Sequence, residues 1–128
     1  MTGSYSGSAD RGDLLVSGHI NVDHFLYVHR FPGVDRTVPI LSERRVLGGT
    51  AANIARVAAS YGIRTGVRAR IGGDFPEEFL RALRASRIDT EGIEMVRREL
   101  TPTCYTTVDD RHEQRTMIEQ GSMADEPR

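Results

Sequence analysis

Two consecutive glycines, Gly48 and Gly49, stand directly before a segment with helical periodicity. Because glycine has no Cβ and tolerates positive φ, such a pair lets the backbone approach a ligand where a helix begins. Asn53 follows in the first turn, and its amide both donates and accepts hydrogen bonds, which suits a polyol hydroxyl. From the spacing alone, a tightly packed strand-to-helix turn is an equally good interpretation.

The chain before this turn contains one buried strand pattern and one hairpin pattern. Residues 13–20 form a short apolar run that ends in glycine, which is typical of a buried parallel strand. Residues 24–31 and 36–47 are extended stretches separated by a Phe-Pro-Gly break, and together they predict an inserted hairpin. Residues 1–12 are rich in Ser, Gly and Asp, and we expect them to form a disordered tail.

Helix and strand patterns alternate after the turn. Residues 50–61 predict a helix whose apolar face consists of Ile54, Val57, Ala58 and Tyr61. Residues 67–71 alternate apolar residues with arginine, which predicts a strand near a sheet edge. A second helix is predicted from a capping box formed by Asp74 and Glu77 to about Arg87, with Pro76 in its first turn and an apolar face of Phe79, Leu80 and Leu83. Residues 102–109 and 113–119 predict a second hairpin, and residues 121–125 suit the start of another helix.

This alternation predicts an α/β fold with a parallel sheet and right-handed crossovers. Only two or three parallel strands are expected in the 128 residues, so the sheet is left with an open edge. Exposed backbone donors and apolar surface favour poor solubility or pairing with another chain. A monodisperse, cooperatively melting monomer would contradict that expectation.

Asn21 and Asp23 lie just beyond the predicted first strand, where open α/β sheets bind their ligands. Two residues apart in extended chain, their side chains point to the same side. The Asp23 carboxylate accepts hydrogen bonds from two neighbouring hydroxyls, so a vicinal diol suits the pair. The alternative is that both residues merely cap a turn.

Composition favours a small-molecule ligand in a cytoplasmic protein. A formal net charge of -1 provides no field that would concentrate nucleic acid or an anionic membrane. No apolar run approaches the roughly 20 residues that a membrane helix needs. Lysine is absent, which excludes a catalytic lysine and a Walker-type lysine. Cys104 is the only cysteine, so the chain has no internal disulfide, and a reducing compartment is expected.

Other candidate motifs favour structural roles. His19, His24 and His29 recur at five-residue intervals, which matches neither helical nor strand periodicity, so no metal site is predicted. Helix capping accounts for the Gly-Gly-Asp sequence at residues 72–74 better than phosphate binding does, because Asp74 would repel an anion. Neither a dinucleotide fingerprint nor a P-loop occurs.

The order of the motifs is more specific than any one of them. The sequence V-S-G-H-x-N-x-D is followed by the hairpin, by G-G-T-A-A-N at a helix start, by R-I-G-G-D-F before a second helix, and by T-P-T-C before the late hairpin. Over roughly residues 13–123 this order resembles the ribokinase (PfkB) family of sugar and nucleoside kinases. The resemblance implies a ribokinase-like three-layer α/β sandwich with a small β lid, of which residues 13–128 form an incomplete N-terminal part.

By the same resemblance, the lid consists of segments at about 24–47 and about 102–119 and closes over a sugar or nucleoside. The positions that match those holding the acceptor hydroxyls are Asn21, Asp23, Gly48, Gly49 and Asn53. Phe25 and Tyr27 either stack on a nucleoside base or, more in keeping with their position, pack the lid. Two copies are expected to pair through the lid strands.

The family's second motif, a G-A-G-D-like turn that supplies the anion hole and the base, does not occur in these 128 residues. No catalytic residue is therefore assigned in this chain, and the fragment alone is expected to be inactive. ATP and Mg²⁺ are implied for the complete enzyme, with none bound by this part. Thr50 stands where many sugar-specific members have lysine, and Phe75-Pro76 replaces commoner small residues, so ribose specificity is not implied.

Two other functions compete with this prediction. A non-catalytic module that binds a sugar or nucleoside would need the same hydroxyl-binding residues. A nicotinamide-dependent dehydrogenase is disfavoured, because the predicted first strand leads into Gly18, His19, Ile20 and Asn21 without the glycine fingerprint.

Overall fold

The computed structural model describes residues 13–123. The predicted tail at residues 1–12 and most of the predicted C-terminal helix lie outside the described residues. The first residues of the predicted C-terminal helix form a short 3-10 helix at Gly121–Met123.

Three parallel strands build the first sheet. They are β1 (Leu14–Ser17), β4 (Thr65–Gly72) and β5 (Ile88–Val96), in the spatial order β1-β4-β5. The prediction that the arginine-flanked strand lies near an edge is wrong, since β4 is paired on both sides. Its arginines alternate onto one face while Val67, Ala69 and Ile71 are buried on the other. Strand β5 was not predicted, because its mixed polar sequence around Gly92 lacks a regular apolar alternation.

Four strands build the second sheet. Strand β2 (Asn21–Tyr27) pairs antiparallel with β3 (Ser42–Gly48), and β6 (Thr103–Val108) pairs antiparallel with β7 (Gln114–Glu119), so both predicted hairpins are confirmed. A parallel β2-β6 pairing joins them in the order β3-β2-β6-β7. Because β2 begins at Asn21, that residue and Asp23 lie on a strand of the second sheet and not in a loop after β1.

The helix α1 (Thr50–Ser60) has the predicted position but not the predicted buried face. Ile54, Val57 and Tyr61 are 53%, 59% and 80% exposed. The buried residues are Ala51, Ala52, Ala55 and Ala58. The alanines also follow helical spacing, and their small side chains let the helix approach the sheet closely. The larger apolar side chains of α1 therefore did not identify the face of the helix that packs against the sheet.

The helix α2 (Glu77–Ala85) packs as predicted but begins later. Leu83 is fully buried, and Phe79 and Leu80 pack against the same core. The predicted capping box is wrong, because Pro76 occupies the N-cap with extended ψ and no side chain caps the helix. Proline favours extended backbone before the first turn and moves the start past Asp74. Neither helix in residues 13–123 is long and apolar enough to cross a membrane.

Candidate functional site

Asn21 and Asp23 form a half-buried polar pair on one face of β2. The Asn21 Nδ2 amide donates to Asp23 Oδ1 at 2.7 Å, which fixes both side chains relative to each other. The pair therefore leaves the amide oxygen of Asn21 and the second carboxylate oxygen of Asp23 as acceptors on the same side of the sheet. Such a pair is suited to receive two hydroxyl donors from one ligand.

Gly48 and Gly49 lie beside this pair because β3 pairs with β2 in register, with Asn21 opposite Gly48. A Cβ at Gly48 would lie 2.7 Å from Asp23 Cγ, and one at Gly49 would lie 2.9 Å from Asn21 Oδ1. Gly49 also has φ of 96°, a conformation that L side chains rarely adopt. The two glycines thus leave the polar atoms of Asn21 and Asp23 uncovered.

The start of α1 completes the turn after Gly49. The N–H of Ala51 donates to the His19 carbonyl at 3.0 Å, and the N–H of Asn53 donates to the Gly49 carbonyl at 3.0 Å. The Ala51 N–H group, which has no partner within the helix, therefore already has an acceptor. These bonds tie the helix start to the chain that leads into β2, and so hold the glycines against the polar pair.

Among the described residues, no hydrogen bond joins the Asn53 side chain to Asn21 or Asp23. The Asn53 side chain is exposed and lines a groove with Arg56, Val57, Ser60 and Ser86. The structure brings together Asn21, Asp23, Gly48 and Gly49, and the role of Asn53 in holding a hydroxyl stays a prediction.

Cys104 also belongs to this cluster. The sequence predicted that Cys104 lies in the lid, but indicated no role for it. It pairs with Asp23 across the β2-β6 ladder, and its Sγ lies 3.8 Å from Asn21 Nδ2. Burial, followed by the negative charge of Asp23, raises the pKa of the Cys104 thiol. The thiol is therefore neutral at pH 7 and offers a weakly polar wall to a ligand.

Aromatic residues continue the same face along β2. The rings of Phe25 and Tyr27 stack with centroids 6.5 Å apart, and the Arg44 guanidinium lies 5.6 Å from the Phe25 ring centroid. Both rings are half-buried. They give the face an apolar part next to its polar part, which is the combination that a sugar or nucleoside presents.

The Gly72-Gly73-Asp74 segment connects the two sheets. Asp74 Oδ1 accepts the Thr101 backbone N–H at 2.7 Å, and the Gly72 N–H donates to Thr101 Oγ1 at 3.0 Å. Pro102 follows, and its carbonyl accepts the Val22 N–H at 2.9 Å. Asp74 therefore anchors the chain that leads into β6, a role that replaces the helix capping predicted from the sequence.

The potential metal ligands among residues 13–123 are dispersed. No group of three or more His, Cys, Asp or Glu side chains there could hold a metal ion. His24 instead lies 3.6 Å from Glu43 and against the Tyr105 ring, and His29 contacts Asp110 at 3.0 Å. These histidines contact residues of the second sheet and its connecting loops.

The pfkB family carbohydrate kinase model matches residues 11–127. The chain is 38% identical over 108 residues to a nucleoside kinase of Methanothermobacter thermautotrophicus, which covers 84% of this chain and 35% of the relative. It is 35% identical over 98 residues to an ATP-dependent ribose-1-phosphate kinase of Halopiger xanaduensis, which covers 76% of this chain and 33% of the relative. The chain belongs to the pfkB family of carbohydrate kinases.

A solved structure agrees in fold. Methanocaldococcus jannaschii nucleoside kinase, described as an archaeal member of the ribokinase family, superposes with a TM-score of 0.83 at 25% identity. The match covers 88% of this chain and 38% of that chain. The ribokinase-like fold is therefore confirmed as an incomplete one, and the chain spans about a third of the length of the curated relatives.

Proposed function

We propose that this chain is the acceptor-binding part of an ATP-dependent kinase that phosphorylates a hydroxymethyl group of a sugar or nucleoside. The observation that carries the proposal is the Asn21-Asp23 pair beside the side-chain-free Gly48 and Gly49. The relatives named as a nucleoside kinase and a ribose-1-phosphate kinase support an acceptor that contains a ribose-like ring.

In this proposal the chain positions the acceptor. Asp23 and Asn21 accept hydrogen bonds from neighbouring hydroxyls, while Gly48 and Gly49 let the ring approach the backbone. The β3-β2-β6-β7 sheet acts as the lid that covers the ring, with Phe25 and Tyr27 along its inner face. Excluding water from the acceptor and fixing its orientation are the contributions to phosphoryl transfer that this arrangement supplies.

ATP supplies the transferred phosphoryl group and Mg²⁺ neutralises its charge in reactions of this type. By the family resemblance, no residue of this chain is assigned to either. Catalysis then depends on a G-A-G-D-like turn outside the 128 residues, and the chain alone is inactive. Cytoplasmic localisation is part of the same proposal.

The alternative function is a sugar- or nucleoside-binding module without catalysis. The same four clustered residues support it, since they bind hydroxyls whether or not a phosphoryl group is transferred. Turnover distinguishes the two functions, and it is measured in the natural full-length product of the gene. Binding together with ATP consumption favours the kinase, and saturable binding without ATP consumption favours the module.

Calorimetry of this chain with ribose, fructose and adenosine tests the acceptor site directly. We expect saturable binding of at least one of them and a loss of about tenfold or more in Asp23→Asn, equivalent to about 1.4 kcal/mol. Asp110→Asn, at an exposed position on the β6-β7 turn, is the matched control and should bind like the wild type. If none of the three ligands binds, the acceptor site is wrong and only a structural role is left.

A further inference from the structure

The two faces of the second sheet differ in charge. Side chains alternate along each strand, so the strand registers assign every residue of the sheet either to the inner face, which carries Asn21 and Asp23, or to the opposite face. Within the four strands, the inner face has two charged side chains, Asp23 and Arg44 of β3. The opposite face has the other acidic, basic and histidine side chains of these strands, which are His24, Glu43, Arg45, Arg115 and Glu119.

Arg44 is a diagonal neighbour of Asp23 on the inner face. It pairs with Phe25 across the β2-β3 ladder, and Phe25 is two residues along β2 from Asp23. Diagonal neighbours in an antiparallel pair lie roughly 7–8 Å apart, which is within reach of a long side chain. One small ligand, such as a pentose with one substituent, therefore suffices to contact both charged groups.

The guanidinium group of Arg44 is held in position without using its hydrogen-bond donors. Its Cζ lies 5.6 Å from the Phe25 ring centroid, over the ring. Contact with a ring face orients the planar group and uses none of its five N–H donors. Among the described residues, no carboxylate forms an ion pair with Arg44, and the adjacent Glu43 lies on the opposite face, 3.6 Å from His24. The inner face therefore presents an unneutralised guanidinium beside the hydroxyl-binding pair.

We propose that Arg44 is a specificity-determining residue of the acceptor site, and that the acceptor carries a phosphate ester which the Arg44 guanidinium binds. This inference rests on the proposed function, because it requires Asn21 and Asp23 to hold the hydroxyls of the same ligand. A guanidinium group matches phosphate oxygens in geometry as well as in charge.

The substrate class is then a sugar phosphate with a free hydroxymethyl group. The hydroxymethyl oxygen forms a bond to the γ-phosphorus of ATP as the bond between that phosphorus and the bridging oxygen breaks. ADP leaves, the hydroxyl proton is released, and the product is a sugar bisphosphate. The ester that Arg44 binds is unchanged in this reaction, so Arg44 contributes to selection of the acceptor.

The charges of the inner face determine how such a ligand lies. Asp23 repels an anion, so the phosphate is on the side of the sugar ring that faces Arg44. The Tyr27 and Ser42 hydroxyls pair with each other beyond Arg44 on the same face and provide further donors. A neutral nucleobase gains less here, because the guanidinium already lies over the Phe25 ring on which a base would stack.

Calorimetry of the chain with ribose and with ribose 1-phosphate tests the inference. We expect ribose 1-phosphate to bind about tenfold or more tightly than ribose, and we expect this difference to disappear in Arg44→Gln. Ribose affinity should change far less in this variant, because it depends on Asn21 and Asp23. Arg44→Lys keeps the charge but loses the planar fork, so it should retain part of the difference.

Arg45→Gln is the matched control. Arg45 is the next residue of β3, it is also exposed, and its side chain lies on the opposite face. The variant removes the same charge from the same strand and should bind ribose 1-phosphate like the wild type. Higher ionic strength should weaken binding of ribose 1-phosphate in both the wild type and Arg45→Gln, and should have little effect on ribose.

The inference is overturned if the wild type binds ribose and ribose 1-phosphate equally, or if Arg44→Gln and Arg45→Gln lose the same affinity for ribose 1-phosphate. It is also overturned if Arg44→Gln weakens adenosine binding as much, since the guanidinium would then recognise a base. Ribose binding that is lost in Asp23→Asn leaves the acceptor site intact in each of these cases. If neither ribose nor ribose 1-phosphate binds, the acceptor site fails as well, so the two failures are distinguishable.

Discussion

Gly48 lies so close to the Asp23 carboxylate that a Cβ at this position would stand 2.7 Å from Asp23 Cγ. The Asp23 carboxylate can therefore occupy its position only because Gly48 has no side chain. Any residue other than glycine at position 48 must displace the carboxylate that we assign to hydroxyl binding.

Gly48→Ala should therefore abolish acceptor binding while the fold survives. Overpacking at a buried position costs about 1–3 kcal/mol, which urea unfolding measures alongside calorimetry with the acceptor. Gly33→Ala is the control, because a Cβ there meets only Arg36 Cγ at an ordinary 3.7 Å. Wild-type acceptor affinity in Gly48→Ala would show that Asp23 does not hold the hydroxyls.

The packed face of α1 gives a second prediction. Ala55 is fully buried, so Ala55→Leu should lower the free energy of unfolding by about 1–3 kcal/mol. Ile54→Ala removes a larger side chain that is 53% exposed and should change it by about 0.5 kcal/mol or less. Urea unfolding of both variants measures the difference, and the reverse order would mean that Ile54 faces the core.

Asp74 gives a third prediction, about the anchor of β6. Asp74→Ala removes the acceptor of the Thr101 N–H and should cost about 1.5–3 kcal/mol, the range for hydrogen bonds to charged groups. Amide hydrogen exchange should show lost protection at Thr101, with little change in the first turn of α2. Asp74→Asn keeps an acceptor oxygen and should restore most of the protection. Loss confined to the α2 amides would instead support helix capping.

The thiol of Cys104 gives a pH-dependent prediction. Because burial and Asp23 raise its pKa, alkylation by iodoacetamide should require higher pH than for an ordinary thiol. Asp23→Asn removes a negative charge that disfavours the thiolate, so the pH-rate profile should move to lower pH. Asp110→Asn should leave the profile unchanged.

Stability should follow the same titration. The thiol pKa is higher in the folded chain than in the unfolded chain, so unfolding gains an advantage as pH rises above the ordinary thiol pKa. The thiol's contribution to stability is complete below that pKa and is lost as pH rises through the folded pKa. Urea unfolding of the wild type and Cys104→Ser across this range isolates the effect, which Cys104→Ser should lack.

The β7 edge of the second sheet gives a further prediction, on association. All six residues of β7 are exposed, and Met117 is 74% exposed. An exposed edge strand with apolar side chains favours pairing of two copies. Met117→Lys should weaken concentration-dependent association in sedimentation velocity, whereas Met95→Lys on β5 of the other sheet should not. Equal weakening by both variants would place the contact elsewhere.

Local patterns in the sequence predicted most of the elements. Both hairpins, the helix at 50–61 and the core role of Leu83 follow from periodicity and from glycine and proline positions, which act over a few residues. Strand β5 lacks such a pattern, because an edge strand paired on one side tolerates polar residues.

The candidate site was predictable only in part. Asn21, Asp23 and the two glycines could be identified from a short motif order, but their contact depends on the β2-β3 register. Cys104 comes close to Asn21 and Asp23 because β2 pairs with β6, two strands that are distant in sequence. Asp74 accepts a hydrogen bond from Thr101, which lies 27 residues further along the chain. Such contacts are determined by tertiary packing, which short-range patterns do not contain.

The parallel pairing of β2 with β6 has a consequence for the order in which the site forms. Asn21 and Cys104 are 83 residues apart, so the polar pair acquires this wall only after the chain has been synthesised beyond Cys104. During synthesis, the strand β2, which carries Asn21 and Asp23, has one unpaired edge until β6 has left the ribosome. Ligand affinity should therefore appear abruptly once β6 is available, rather than grow steadily with the length of the nascent chain.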